Sequence, residues 1–301
     1  MDLWIPITLA AAFLQNLRSA GQKHLKGTIG TTGATFVRFA FGLPFAVVFL
    51  LILHEGLGYP FPDLNRTFVL WSVLAGLSQI LAQFLLIHLF SFRNFAVGTA
   101  YSRTEPAQAA LFALLVLQET LSLGVVVAIT ISVVGVMLIS VAHTPVNPRS
   151  LLTSIIRPTA LIGIASGTAF GISAVGYRAA SLSLGGPNFL MQAAVTLAFT
   201  LTMQTLIMFA WMIFGDRTEF GRMRRAWRPG LFVGATGATA SLGWFAAMTL
   251  QQAAVVKALA QVEMLFTFAA AVFYFREKIN RLEVAGCLLI VAGIVVLVLL
   301  G

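Results

Sequence analysis

Apolar residues run along this chain in ten stretches, near 3–22, 31–53, 67–90, 94–117, 122–142, 159–180, 187–214, 229–249, 253–275 and 281–300, separated by short polar punctuation. A bilayer core of ~30 Å is crossed by about 20 apolar residues in a helix, so each stretch predicts a transmembrane helix. Runs such as Ala46 to Leu53 do not alternate in the way that a lipid-facing barrel strand must. The expected fold class is therefore all-α integral membrane, with ten transmembrane helices. Only the connections 54–66, 143–158 and 215–228 exceed a tight turn, which leaves no room for a soluble catalytic domain.

Composition agrees: 59% hydrophobic and 10% charged residues, with a mean hydropathy of +0.93, supply too little polar surface to coat a soluble globule of 301 residues. The first stretch follows Met1-Asp2-Leu3, without the basic segment of a signal peptide, and is read as a retained helix. The single cysteine, Cys287, lies in the last stretch, so no intramolecular disulfide can form and a packing role is expected.

The net charge of +9 is explained by topology rather than by nucleic acid. Connections after odd-numbered helices carry Lys23, Lys26, Arg93, Arg149, Arg157, Arg217, Arg222, Arg224, Arg225, Arg228, Arg276, Lys278 and Arg281, thirteen of the nineteen basic residues. The opposite connections offer Arg66, with Arg178 and Lys257 near helix ends. By the positive-inside rule the basic side is cytoplasmic and both termini face outward, across a cell inner membrane. The Arg222 to Arg228 cluster reads as a cytoplasmic, lipid-facing surface.

Shifting the chain against itself by 158 residues aligns Gly76 with Gly234, Ala96 with Ala254, Ala100 with Ala258, Glu105 with Glu263, Glu119 with Glu277 and Gly135 with Gly293. The glutamates carry the argument, because the chain has only ten acidic residues. The expected organisation is a first five-helix repeat over 1–145, a cytoplasmic linker over 146–158 and a second repeat over 159–301. Five is odd, so the second half enters the membrane with opposite polarity. The turn Gln118 to Ser122 has no Lys or Arg, whereas its mate has Arg276, Lys278 and Arg281, as an inverted repeat requires. Inverted repeats create two related conformations open to opposite sides, the basis of alternating access.

The segments Glu105-Pro106-Ala107 to Glu119 to Gly135, and Glu263 to Glu277-Lys278 with Ala285-Gly286 and Ala292-Gly293-Ile294, resemble the EamA branch of the drug/metabolite transporter superfamily. Helix number, half length and the Arg38-Phe39 pair in helix 2 fit as well. The resemblance implies a ten-helix transporter with a central cavity lined chiefly by helices 1, 3, 4, 6, 8 and 9, serving amino acids, vitamins or other metabolites. One departure is Met264, which stands where the first half has Pro106, so the halves need not bend alike.

Ionisable groups inside apolar helices cost roughly 2.5–3.5 kcal/mol each and usually face a cavity or a partner. Those here are Arg18, Arg38, His88, Arg103, Glu105, Lys257 and Glu263. Glu105 and Glu263 are expected about two turns into helices 4 and 9. They admit two readings, a proton-coupling or substrate-amine pair or the neutralising partners of buried cations. Arg18, Arg38, Arg103 and Lys257 exceed the two carboxylates by two charges, enough to hold a substrate carboxylate or phosphate. Arg38, near the end of helix 2, is expected to snorkel to the interface, a reading open to Arg18 and Lys257 too, whereas Arg103 is expected to face the cavity.

Gln79 and Gln83 share a face of helix 3 through i,i+4 spacing, and either bind ligand or bridge helices. Tyr101, Glu105 and Gln108 share a face of helix 4, where Pro106 removes the donor to the Ser102 carbonyl and invites a kink. Gly167, Thr168, Ser173 and Tyr177 on helix 6, and the small residues from Gly234 to Gly243 beside Trp244 on helix 8, permit close helix approach or a roomy cavity wall with an aromatic platform. Glu119 and Glu277 are expected to serve helix ends. His88 has no ligand partner at i±4, so no metal is expected. Nothing resembles a phosphate loop, zinc-ligand set or nucleophile elbow, so neither cofactor nor enzyme chemistry is expected.

The candidate substrate-binding set is Arg18, Gln79, Gln83, Tyr101, Arg103, Glu105, Gln108, Tyr177, Trp244, Lys257 and Glu263. The expected function is secondary active transport of an amino acid or related zwitterion, with uptake of an aromatic nutrient such as riboflavin or a nucleobase as the alternative. Its partners are the small-molecule substrate and the lipid bilayer, and a monomer is compatible with the pattern.

Overall fold

The computed structural model describes residues 2–25, 27–89, 91–92, 100–141, 158–186, 188–269, 272 and 280–300, and among them the regular structure is entirely helical. Its helices are α1 (Trp4–Leu25), α2 (Thr31–Ala40), α3 (Leu43–Leu51) with a π turn at Ile52–Gly56, α4 (Arg66–Leu89), α5 (Glu105–Val116), α6 (Leu123–Val141), α7 (Pro158–Ser183), α8 (Phe189–Gly215), α9 (Thr218–Arg225), α10 (Trp227–Leu250), α11 (Ala253–Leu259), α12 (Val262–Ala269) and α13 (Arg281–Leu300).

Among the described residues, seven of the ten expected spans are helices long and apolar enough to cross a bilayer. They are Thr31–Gly56, Arg66–Leu89, Leu123–Val141, Pro158–Ser183, Phe189–Gly215, Trp227–Leu250 and Arg281–Leu300. Polar residues on α1, namely Gln15, Asn16, Arg18, Gln22, Lys23 and His24, dilute an otherwise long helix. The stretches 94–117 and 253–275 extend outside the described residues, and within them lie α5, α11 and α12. Lys26, Arg93, Ala96, Arg149, Arg157, Arg276, Glu277, Lys278 and the linker at 146–157 lie outside the described residues.

The chain forms two compact units, and each draws helices from both sequence halves. The first comprises Met1–Ile80 and Gly176–Gln251, the second Leu81–Val175 and Gln252–Gly301.

In the first unit α1 runs antiparallel to α10. Ala11 lies beside Gly243, Arg18 beside Gly237 and Gly21 beside Val233. The small residues of α10 here serve close approach: any side chain at Gly234 would collide with the backbone of Phe41, so α2 and α10 touch main chain to side-chain-free surface. Helix ends are closed by side chains. The Asn188 carbonyl accepts from the amides of Leu190 and Met191 at 2.9 and 3.1 Å, satisfying the exposed first turn of α8. Arg178 donates to the carbonyls of Met248 and Gln251 at 2.6 and 2.7 Å, closing the C-terminus of α10.

In the second unit α6 and α13 run antiparallel through glycine contacts. A Cβ on Gly135 would lie 2.7 Å from the Gly286 carbonyl, and one on Gly293 would lie 3.0 Å from the Ala128 carbonyl. Adding 158 to 135 and to 128 gives 293 and 286, so these two contacts are one contact seen from each half. Antiparallel packing of repeat mates is what an inverted repeat produces and a parallel repeat does not.

Candidate functional site

Two interrupted helices build the polar centre of the second unit. Beyond Ser102 the chain closes i→i+3 hydrogen bonds, Arg103 N–H to the Ala100 carbonyl at 3.1 Å and Thr104 N–H to Tyr101 at 3.2 Å, before α5 starts at Glu105. Between α11 and α12 the same occurs, with Gln261 N–H to Ala258 at 3.2 Å and Glu263 N–H to Ala260 at 3.0 Å. The breaks fall within one residue of each other under the 158-residue shift, at 103–104 in the first half and 260–261 in the second. Pro106 accounts for only the first. The halves bend alike even though Met264 replaces the proline.

Glu105 and Glu263 therefore stand in the first turns of α5 and α12, not two turns inside continuous helices. There the helix dipole favours a negative charge. Each glutamate meets a cation from the other half: Lys257 Nζ lies 2.8 Å from Glu105 Oε1, and Arg103 forms an ion pair with Glu263. The Glu263 side chain is 7% exposed and that of Arg103 37%, so the carboxylate is buried while the guanidinium still reaches solvent. Gln261 Nε2 donates to the Arg103 carbonyl at 3.4 Å. These two residues are mates under the shift, and contact between a residue and its own mate marks the axis relating the halves. The quartet Arg103, Glu105, Lys257 and Glu263 flanks that axis and is formally neutral.

The break also changes the face argument for helix 4, because i,i+4 spacing from Tyr101 to Glu105 presumes an uninterrupted helix. Tyr101 is buried with Ala100, Val141 and Ala160. Gln108 donates to Thr104 Oγ1 at 2.7 Å and accepts from Thr168 Oγ1 at 2.6 Å, which ties α5 to α7. Gly167 approaches the Ser102 carbonyl, where a Cβ would come to 2.9 Å. Gln83 is buried, and His88 stacks on Phe84 with ring centroids 6.3 Å apart.

The first unit has a different polar interior. Tyr177 Oη donates to Gln79 Oε1 at 3.0 Å, Gln204 Nε2 donates to the same oxygen at 2.9 Å, and the Tyr177 ring lies 4.2 Å from that of Phe245. Trp244 Nε1 donates to Gln15 Oε1 at 3.0 Å, joining α10 to α1. Arg18 and Arg38 are buried beside Gly237. Arg38 is 5% exposed and does not snorkel, because its helical segment ends inside the packing of α1 and α10 rather than at an interface.

Several residues in these networks were not singled out in the sequence. Gln204 and Gln15 are amides inside apolar stretches, a signal that applies to them as well as to Gln79 and Gln83. Glu219 is 1% exposed, accepts from the Gly30 amide at 2.8 Å and from Arg222 at 2.7 Å, and leaves no room for a side chain at Gly33. Part of the basic cluster is thus anchored: Arg222 belongs to an ion pair that caps α2. Among the described residues no three His, Cys, Asp or Glu side chains come together as a metal site would need.

Seven apolar helices of membrane-spanning length, beside short helices that meet at ion pairs, mark a multi-pass membrane protein. The profile of the EamA-like transporter family matches the chain twice, over residues 2–141 and 157–299, and the chain belongs to that family. A solved crystal structure superposes with a TM-score of 0.75 over 99% of both chains at 17% identity, which shows the same fold. No curated protein matches the chain in sequence.

Proposed function

We propose that this transporter is a secondary active carrier of small zwitterionic metabolites, amino acids or close relatives, working by alternating access between two inverted five-helix repeats. The observation that carries the reading is the neutral quartet of Arg103, Glu105, Lys257 and Glu263 at paired helix breaks. A zwitterion has the same two charges as either pair. Its carboxylate replaces a glutamate at Arg103 or Lys257, and its ammonium group takes the glutamate so released. Net charge in the site stays at zero, and no ion is left buried without a counter-ion, which would cost several kcal/mol. Discontinuous helices meeting at a repeat interface supply the backbone groups and mobility on which alternating access depends.

Glu105 and Glu263 are also the proton-coupling groups of the proposal, since protonating either one releases its cation. The charge bias of the connections supports an inner-membrane location with both termini outward. Counterflow in proteoliposomes tests the function: saturable exchange of at least one amino acid is expected, and no saturable transport across a broad metabolite panel sinks the reading. Glu105→Gln with unchanged pH dependence of transport removes that residue from proton coupling. The aromatic environment of Tyr177, Phe245 and Trp244 favours a second reading, an aromatic nutrient such as a flavin or nucleobase. A rise in melting temperature with flavins or nucleobases and not with amino acids would select it.

A further inference from the structure

The four charges of the quartet are not placed alike. Glu105, Lys257 and Glu263 stand on α5, α11 and α12, whereas Arg103 lies in the turn that precedes α5. Its side chain is 37% exposed, against 14% for Lys257. Arg103 is thus the cation that an incoming carboxylate meets first, and a residue between helices is the one best placed to move. Its repeat mate, Gln261, occupies the turn between α11 and α12 and is 4% exposed. The Gln261 amide nitrogen donates to the Arg103 carbonyl at 3.4 Å. A carbonyl has no proton to give, so this contact fixes which way the amide is turned. The other atom of the amide, Oε1, is buried and accepts no hydrogen bond among the described residues. Glu263, two residues further on, closes on the Arg103 side chain. Gln261 and Glu263 therefore converge on one arginine, the first at its backbone and the second at its guanidinium.

We propose that Gln261 is a specificity-determining residue: as the carboxylate of a zwitterion displaces Glu263 from Arg103, the ammonium group binds to Glu263 and to Gln261 Oε1 together. The assignment rests on the zwitterion exchange proposed above and selects Arg103–Glu263 as the pair that opens, with Lys257–Glu105 remaining closed. The planar fork of Arg103 suits a carboxylate because it donates two parallel hydrogen bonds to two oxygens. An ammonium group has three donors and no acceptor, which suits one ionised oxygen and one neutral one. A buried acceptor without a donor is costly, and the ligand removes that cost only if it has an N–H to give. The same acid without its ammonium group occupies Arg103 but leaves Gln261 Oε1 unmet. Gln261 thus makes the site read the second charge of the ligand as well as the first.

The test is counterflow by the whole chain in proteoliposomes. The protein amino acids are screened first, and the one exchanged best is paired with its deaminated acid as a competitor. Gln261→Leu should raise the half-saturating concentration of the amino acid by about tenfold, the worth of one hydrogen bond to a charged group. The half-inhibitory concentration of the deaminated acid should stay as it was. Arg103→Lys loses the fork that both ligands use and should weaken both by similar factors. An unchanged half-saturation in Gln261→Leu overturns the assignment, as does equal weakening of both ligands, which a merely structural role would give. In Arg103→Lys, no loss or a loss confined to the amino acid overturns the choice of Arg103 as the partner of the carboxylate. Should Gln261→Leu fail to fold, Gln261→Met, of similar length and without an acceptor oxygen, is read by the same outcomes. Absence of saturable counterflow by the unaltered chain is a different result: it overturns the zwitterion reading itself, and this assignment with it.

Discussion

The two compact units pair their buried carboxylates differently. In the second, two acids and two cations cancel within one quartet, and each glutamate takes its partner from the other sequence half. In the first, the buried carboxylate of Glu219 takes its partner, Arg222, from the same short helix. A neutral cluster can form and dissolve without changing net charge, so it suits groups that exchange partners. A pair closed within one turn fixes its own helix in place. The same residue type, an arginine on a buried glutamate, thus has different work according to whether its acid comes from the same helix or from the other sequence half.

The largest effect should come from breaking the neutral quartet on one side. Glu263→Ala removes the buried partner of a part-exposed Arg103, and about 2–3 kcal/mol of destabilisation is expected in denaturant melts, less than for a fully buried pair because Arg103 reaches solvent. The charge swap Arg103→Glu with Glu263→Arg should recover much of that loss. Recovery would show that pairing, rather than the shape of either side chain, holds the break together.

A second comparison uses packing. Gly135→Ala and Gly293→Ala each place a methyl group against the backbone of the partner helix, so both should cost about 1–3 kcal/mol. Because the two contacts are repeat mates, their costs should agree within experimental error. Unequal costs would show that the halves have diverged at their α6–α13 contact.

Smaller still is the loss of the Glu219 cap. Glu219→Ala frees the Gly30 amide and unpairs Arg222, for an expected 1–2 kcal/mol, about the worth of a helix cap. The smallest effect belongs to Arg224→Gln, an exposed member of the basic cluster, with a change within about 0.5 kcal/mol in detergent melts.

Much of this arrangement was legible in the order of residues. The spacing of 158 that aligns Glu105 with Glu263 reappears as the Arg103–Gln261 contact and as the matched glycine contacts of α6 and α13. Apolar length alone indicated a membrane protein. Other features were hidden because they depend on geometry across helices. Proline marked the interruption at Arg103–Thr104, but its mate at Ala260–Gln261 has no breaker in the sequence, and the interruption displaces both glutamates to helix starts. Depth counted along a helix placed Arg38 near an interface, yet burial is decided by what packs around it, here the glycine-rich face of α10. Glu219 looked like one charge in a polar connection, and nothing in its neighbours signalled a partner 189 residues earlier.

The central claim is that the quartet recognises both charges of a zwitterion, and counterflow with matched analogues tests it most directly. A transported amino acid would be compared in proteoliposomes with its N-acetyl derivative, which lacks the ammonium, and its carboxamide, which lacks the carboxylate. Exchange of the parent, with both derivatives at least tenfold weaker, is the expected result. Equal exchange of either derivative would contradict the account.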